Sequence, residues 1–526
     1  MNKGCVLILG AGLMQKSAIE AAKALGYDAV VVDANPRALC VPFADRFERI
    51  DLKDTEGIAR FALSLGDELK AVFTCATDFS AAVSLVAERC GLADHVHSTE
   101  AARRASDKLL MRKCFKESGV PSPEYFAADE EFVKRLERGD TSGGVSLPKV
   151  VKPCDNMGAR GCRLVHTQEE LVRALKEALS YSRTRRAIVE EYMEGPEFSI
   201  DALVVDGRVV VTGFADRHIY FAPHFVELGH TMPSSLAPEK RAEVVRVFCE
   251  GVRALGLTNG AAKGDVKLTE HGAMIGEIAA RLSGGYMSGW TFPYASGFDL
   301  TQEALKIALG YPSQFAGITE VKPSKVSSER AFISVPGVVA KVYGANQAQA
   351  CPFVKDVFFR VGEGDEVVFP RNNVEKCGNV ISLSDSRTLA VKAAEDAVSK
   401  IVLRLSPCCD ETDEFLRGRG VDTQSGFRDF YDVNFDDDTL QGQLDKMGAI
   451  EAGKTVREYV PSVLRGVLDQ KRDWNYRSLK DSLEFFDELC PDHPRLDAKR
   501  FWRYLIRGGV QGVLYYADSL ECGHEI

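Results

Sequence analysis

The run Lys263-Gly-Asp265-Val-Lys-Leu-Thr-Glu-His271-Gly-Ala-Met-Ile-Gly-Glu277-Ile-Ala-Ala-Arg281 sets two acidic residues inside apolar stretches on either side of a short polar turn. The pattern around Glu270-His271-Gly272 predicts a hairpin, with strands over 265–268 and 273–279. If it centres near His271, Asp265 and Glu277 become cross-strand neighbours. Facing carboxylates in an apolar setting repel. A divalent cation removes that conflict, since Mg2+ typically takes one or two carboxylates and completes its shell with substrate phosphates. Arg281, two pleats beyond Glu277, projects from the same face, where a guanidinium can meet a transferred phosphoryl group.

Three pieces upstream belong with this hairpin. Ser106-Asp107 caps a helix that opens at Lys108 and closes at Gly119 and Pro121. The strand Lys149–Pro153 presents Lys152 and leads into a loop holding Gly158 and Gly161, then the strand Arg163–Val165. Backbone amides of such a loop can lie against phosphates, although no Gly-Lys-Ser/Thr of a Walker A loop is present. The strand Ala187–Met193 passes through Glu190 and Glu191 to a Gly195-Pro196 turn and Glu197. An edge of this kind offers backbone to an adenine and carboxylates to ribose hydroxyls. Asp206-Gly207 marks another hairpin, and Pro238–Leu255 reads as a long helix, so the region is α+β. Singly, each lysine or acid is an ordinary surface group; their joint order and spacing carry the reading.

The first hundred residues alternate short apolar strands with helical periods, which predicts a parallel, doubly wound sheet with ligands at its carboxyl ends, where Gly10, Asp33 and Thr77-Asp78 fall. Gly10-Ala-Gly12 and Asp33 there suggest a dinucleotide site, but Gln15 occupies the third glycine position, so a tight strand-to-helix turn is the better reading. Residues 330–405 show short strands and one helix, Ser386–Leu403. The stretch from Ser406 is helical in pattern, too aromatic for disorder, and carries eight of the ten net negative charges.

A net charge of -10 over 526 residues argues against a nucleic-acid partner. No apolar run reaches membrane length, and Cys5–Leu9 is too short for a signal-peptide core. The 14 cysteines contain no CxxC pair and read as buried residues of a reducing cytoplasm.

The ordered set Lys108, Lys152, Gly158/Gly161, Glu190–Glu197, Asp265, Glu277, Arg281 resembles the ATP-grasp superfamily, in particular its carboxylate–amine (amino-acid) ligases and their carbamoyl-phosphate-synthase and biotin-carboxylase relatives. The resemblance implies a Rossmann-like domain over 1–100, a two-lobed ATP-grasp domain over 101–325, an α+β module over 326–405 completing that core, and a helical extension over 406–526 with no counterpart. It implies that Lys108 and Lys152 contact phosphates and that Glu190 receives the adenine amino group. Glu191–Met193 would form the hinge, and Glu197 would meet the ribose. By the same resemblance Asp265 and Glu277 bind Mg2+ (or Mn2+), and Arg281 acts at an acyl phosphate. Ala279 replaces the asparagine that often follows the second metal carboxylate, so one side-chain ligand is absent. The implied reaction phosphorylates a carboxylate with ATP and joins it to an amine, with amino acids as the expected substrates and a homodimer as the usual assembly.

Glu227, His230, Ser283 and Gly284 are the candidate substrate contacts. His218, His224 and His230 match no standard metal spacing, and Asp432 with Asp436–Asp438 lacks the EF-hand glycine and glutamate. The rival readings are a biotin-carboxylase- or carbamoyl-phosphate-synthase-like enzyme, and a nucleotide-binding protein without ligase chemistry.

Overall fold

The computed structural model describes residues 3–139, 145–312, 314–315, 317–418 and 431–523. The chain forms two compact units, one of residues 1–218 with 229–327, the other of 219–228 with 328–526.

The first unit opens on β1 (Cys5–Leu9), α1 (Lys16–Ala24), β2 (Asp28–Val32), β3 (Arg46–Glu48), α2 (Thr55–Ser64), β4 (Leu69–Phe73) and α3 (Ser80–Arg89). The strands pair in parallel in the order β3-β2-β1-β4. β1 is buried along its whole length, as the central strand of a sheet covered on both faces must be.

Two helices, α4 (Thr99–Ser106) and α5 (Lys108–Glu117), lead into a small antiparallel sheet. It is built from β5 (Tyr125–Ala128), β6 (Lys149–Pro153), β7 (Arg163–Val165) and β8 (Ala187–Glu191), in the order β5-β8-β6-β7. Its helices are α6 (Glu130–Glu137) and α7 (Gln168–Tyr181), and α7 supplies Leu171, Ala174, Leu175 and Ala178 to their shared core.

A larger antiparallel sheet follows: β9 (Glu197–Val205), β10 (Arg208–Tyr220), β11 (Val226–Met232), β12 (Gly260–Thr269) and β13 (Gly272–Ala279), in the order β13-β12-β9-β10-β11. Helix α8 (Pro238–Leu255) packs Val244, Val247, Phe248 and Val252 onto it. Gly264 leaves room for this approach, since a Cβ there would stand 2.4 Å from the Phe248 ring.

In the second unit the strands Val354–Phe359 and Gly378–Ser384 pair antiparallel. The helix expected over 386–403 ends at Lys400, and Val402–Leu405 is a strand against Gly337–Tyr343. The residues beyond Ser406 do not form a core of their own. Phe415, Leu416, Leu483, Phe486, Trp502, Tyr515 and Tyr516 join Val339, Val398, Val402 and Leu405 in one buried cluster. The aromatic density that excluded disorder is explained by this shared interior. Asp437 caps the helix Asp438–Met447 through the amides of Thr439 and Leu440, which accounts for part of the acidic loop without calcium. No helix among the described residues is long and apolar enough to cross a membrane.

Candidate active site

The hairpin pairs as its alternation predicts, with Asp265 directly opposite Glu277 and a register shift just after Asp265. Each carboxylate has its own cations. Asp265 accepts a hydrogen bond from Ser199 Oγ at 2.9 Å, contacts Lys263, and lies 3.0 Å from Arg217. Burial favours the neutral acid, but Arg217 and Lys263 outweigh it and bring the Asp265 pKa down to about 2. Glu277, with 35% of its side chain exposed, pairs with Lys108 at 3.0 Å.

Lys108 occupies this place because Asp107 caps α5, accepting from the amides of Leu109 and Leu110. The lysine therefore sits in the first turn, and its ammonium also donates to the Asn156 carbonyl of the glycine-containing loop at 2.9 Å. Burial lowers its pKa, yet Glu277 and Asp78 more than compensate, so it stays charged. In that loop Gly158 and Gly161 both take φ of +69°. A Cβ at Gly161 would meet Tyr181 at 2.8 Å, so the tight turn requires glycine there.

Glu190 is the most enclosed acid of the set, with 1% of its side chain exposed. It stands between Arg112 Nε at 2.7 Å and Lys152 Nζ at 2.6 Å. Burial opposes its charge, but Arg112 and Lys152 prevail and hold its pKa at about 2. Its carboxylate is committed to Arg112 and Lys152, and its backbone lies between Tyr125 of β5 and Val150 of β6. Arg112, which the sequence reading missed, also donates to the Gly276 carbonyl of β13 at 2.6 Å, tying the small sheet to the large one.

The strand expected to reach Met193 ends at Glu191, which is exposed. The segment after it is held by β12: Lys267 donates to the Met193 carbonyl at 3.0 Å, and the Leu268 amide donates to that of Pro196. Gly195 has φ of +134° and lies so close to Leu268 O that a Cβ would sit 2.2 Å from it. Glu197 contacts Arg217 and lies 3.8 Å from Lys267. Arg217 thus links the ribose candidate to a metal candidate, a position no local motif marks.

Arg281 pairs with Asp78, in the loop after β4, with Nη2 and Nε at 2.6 and 2.7 Å from the same oxygen, Oδ1. Its Nη1 donates to its neighbour's carbonyl, Leu282 O, at 3.0 Å. The adjoining backbone is stitched to the same loop, the Ala76 amide donating to Leu282 O at 3.2 Å and Gly284 lying against Ala76. Burial raises the Asp78 pKa, but Arg281 and Lys108 bring it below the usual carboxylate value.

Of the candidate substrate contacts, Ser283 is buried, with its amide and hydroxyl both donated to Asp201. Glu227 is engaged within the second unit, where Asn373 accepts its amide at 2.8 Å and Lys376 lies 3.8 Å from its carboxylate. His230, on the same strand, is buried in the first unit. The dinucleotide reading also loses its residues. Asp33 accepts from the amides of Ala11 and Asn35, and Gln15 bridges the Gly12 amide and the Cys75 carbonyl.

Two carboxylates on adjacent strands, with Lys108 against Glu277 and with Lys263 and Arg217 against Asp265, are a donor set that could hold a divalent cation together with phosphates. Glu277 is the more exposed of the two.

Two families match the chain: the ATP-grasp domain over residues 145–289 and the L-amino acid ligase C-terminal domain 2 over residues 331–406. An uncharacterized protein of Sinorhizobium fredii, y4rH, is 26% identical over 423 residues, covering 79% of this chain and 85% of its own. Carnosine synthase 1 of Gallus gallus is 27% identical over 331 residues; the match covers 58% of this chain and 35% of the synthase, so about a third of that relative's length is spanned. The crystal structure of an L-amino acid ligase from Bacillus licheniformis superposes with a TM-score of 0.66 at 19% identity, over 77% of this chain and all of the other. Residues 145–289 thus match the ATP-grasp domain and residues 331–406 the C-terminal domain 2 of L-amino acid ligases, and the chain shares its fold with solved structures of that kind.

Proposed function

We propose that the protein is an ATP-dependent carboxylate–amine ligase of the cytoplasm that joins amino acids through an acyl phosphate. The observation that carries this reading is the Arg281–Asp78 pair lying beside Lys108, Glu277 and Asp265. Together these form a phosphoryl-transfer site with an arginine held in place by the N-terminal domain.

Bound Mg-ATP supplies the γ-phosphoryl group that activates the carboxylate. Glu277 and Asp265 would hold the metal, which would neutralise charge on the phosphates. Lys108, Lys152 and the backbone of the Gly158–Gly161 loop neutralise and orient the phosphates. Glu190 keeps Lys152 aimed, the backbone of Glu191 and Met193 faces the base, and Glu197 meets the ribose. Arg281 stabilises the charge that develops as the phosphoryl group moves to the substrate carboxylate. The amine nitrogen then bonds to the acyl carbon, the C–O bond to phosphate breaks, and the nitrogen's surplus protons pass to phosphate and solvent. Amino acids as substrates are favoured by the match of residues 331–406 to the L-amino acid ligase C-terminal domain 2 and by the likeness to carnosine synthase 1.

ADP release from Mg-ATP against amino acids, singly and in pairs, tests it, with Glu277→Ala protein as the blank. Turnover that requires an amino acid and vanishes in the variant supports the ligase. ATP binding without turnover in any pair overturns it in favour of a nucleotide-binding protein, and bicarbonate-dependent turnover overturns it in favour of a carboxylase.

A further inference from the structure

Beside the Arg281–Asp78 pair the first unit contains a cavity of about 410 Å³, between Leu52, Lys53, Asp78, Phe79, Ala82 and Arg183. That volume suits a small metabolite. None of these residues belongs to the ATP site described above except Asp78, which borders both.

The cavity's charges are arranged with one anchored acid and two cations that lack an acidic partner. Arg183 lies with its guanidinium 5.8 Å from the Phe79 ring centre, and its Nη2 donates to the Asp155 carbonyl at 2.8 Å. Among the described residues neither the Arg183 guanidinium nor the ammonium of the exposed Lys53 forms an ion pair, the Asp155 carboxylate accepting from the Arg183 backbone amide at 3.0 Å instead. Asp78 spends only Oδ1 on Arg281, and its Oδ2 accepts no hydrogen bond from the described residues. Leu52, Phe79 and Ala82 add apolar lining. Two cations, one carboxylate oxygen and an apolar wall are complementary to a zwitterion with an apolar side chain.

We propose that this cavity binds the amine substrate, an α-amino acid with an apolar side chain, whose carboxylate meets Lys53 and Arg183 and whose ammonium meets Asp78 Oδ2. The proposal rests on the ligase reading and names one of its substrates. It also gives Asp78 a second task. The same carboxylate that fixes Arg281 brings the incoming nitrogen beside the guanidinium assigned to the acyl phosphate.

The test uses the full chain with L-alanine, L-leucine and L-phenylalanine and their C-terminal amides as probes. Binding is read by saturation-transfer NMR without nucleotide, and turnover by ADP release with Mg-ATP. At least one amino acid should bind about tenfold more tightly than its amide, since the amide forfeits the charge-assisted contacts. Lys53→Ala and Lys53→Glu should erase that preference, the second more completely, and raise the KM of the amine amino acid while leaving the KM of ATP unchanged. Lys53 is exposed, so both variants fold. Arg183→Ala should act in the same direction. Amino acids and amides binding alike, none of the six binding, or a KM for the amine that ignores Lys53 would overturn the cavity proposal while leaving the ligase standing. Carboxylate-selective, Lys53-dependent binding without any ADP release would support the cavity and remove the ligase.

Discussion

Arg281 and Asp78 are 203 residues apart in the chain, and their side chains meet at 2.6 Å, between the end of the ATP-grasp hairpin and the loop following β4. The contact fixes the arginine from a loop far from it in the chain. An arginine two residues beyond the end of β13 would otherwise sample several rotamers, and its restriction is the positional order that the proposed phosphoryl transfer would need.

Replacing Asp78 with Asn keeps the shape and removes the charge. Both partners are mostly buried but not fully so, and the expected loss of stability is about 2 kcal/mol, below the range for a fully enclosed pair. Turnover should fall at least about tenfold, with the KM of ATP little changed. Urea unfolding and ADP release measure the two effects; a variant with full turnover would show that Arg281 does not depend on Asp78.

Acid stability should report Glu190. Its folded pKa of about 2 lies below the unfolded carboxylate value of about 4.3. The ionised group therefore stabilises fully above about pH 4.3, and that contribution is lost as pH falls toward 2. Glu190→Gln protein should have a lower urea midpoint at pH 7 and a shallower fall between pH 4.5 and 2.5. Asp265, also near 2, retains part of the slope in the variant.

The two hairpin carboxylates should separate in their effect on folding. Glu277 is one-third exposed and meets one lysine, so Glu277→Ala should cost at most about 1 kcal/mol. Asp265 is buried among Ser199, Lys263 and Arg217, and Asp265→Ala strands those groups, at a cost of about 3 kcal/mol. Both should lower ADP release by about a hundredfold or more. Thermal melts alongside turnover distinguish them, and an active Glu277→Ala enzyme would remove that residue from the metal site.

In the second unit, Trp502 is fully buried, and its indole donates to the Tyr459 carbonyl at 3.0 Å. Trp502→Ala should destabilise this unit by about 3–5 kcal/mol, seen as earlier proteolysis of the 331–523 region. Unchanged protease resistance would mean that the aromatic extension packs more loosely than its burial indicates.

Much of the candidate site was legible because its geometry is local. Strand alternation and a short turn set Asp265 against Glu277, and a capping aspartate put Lys108 in the first turn of α5. The glycines at 158 and 161 marked a loop that needs left-handed backbone. Arg112 and Arg217 were not legible as site residues, and Asp78 was marked only by its place at the carboxyl end of a strand. The partner of each comes from another element: Glu190 for Arg112, Asp265 and Glu197 for Arg217, Arg281 for Asp78. The extension beyond Ser406 was similarly half-readable. Its aromatic content announced a folded core, but not that Val339, Val398 and Val402 would be part of it.

Sequence alone therefore determined the hairpin with its cross-strand meeting of two carboxylates and the capped helix that opens at Lys108, because those depend on a residue period of two and on hydrogen bonds a few residues long. Tertiary structure alone decided which cation neutralises which acid. A buried charge must find an opposite charge wherever packing brings one, and packing brings Arg281 to Asp78 and Glu190 between Arg112 and Lys152.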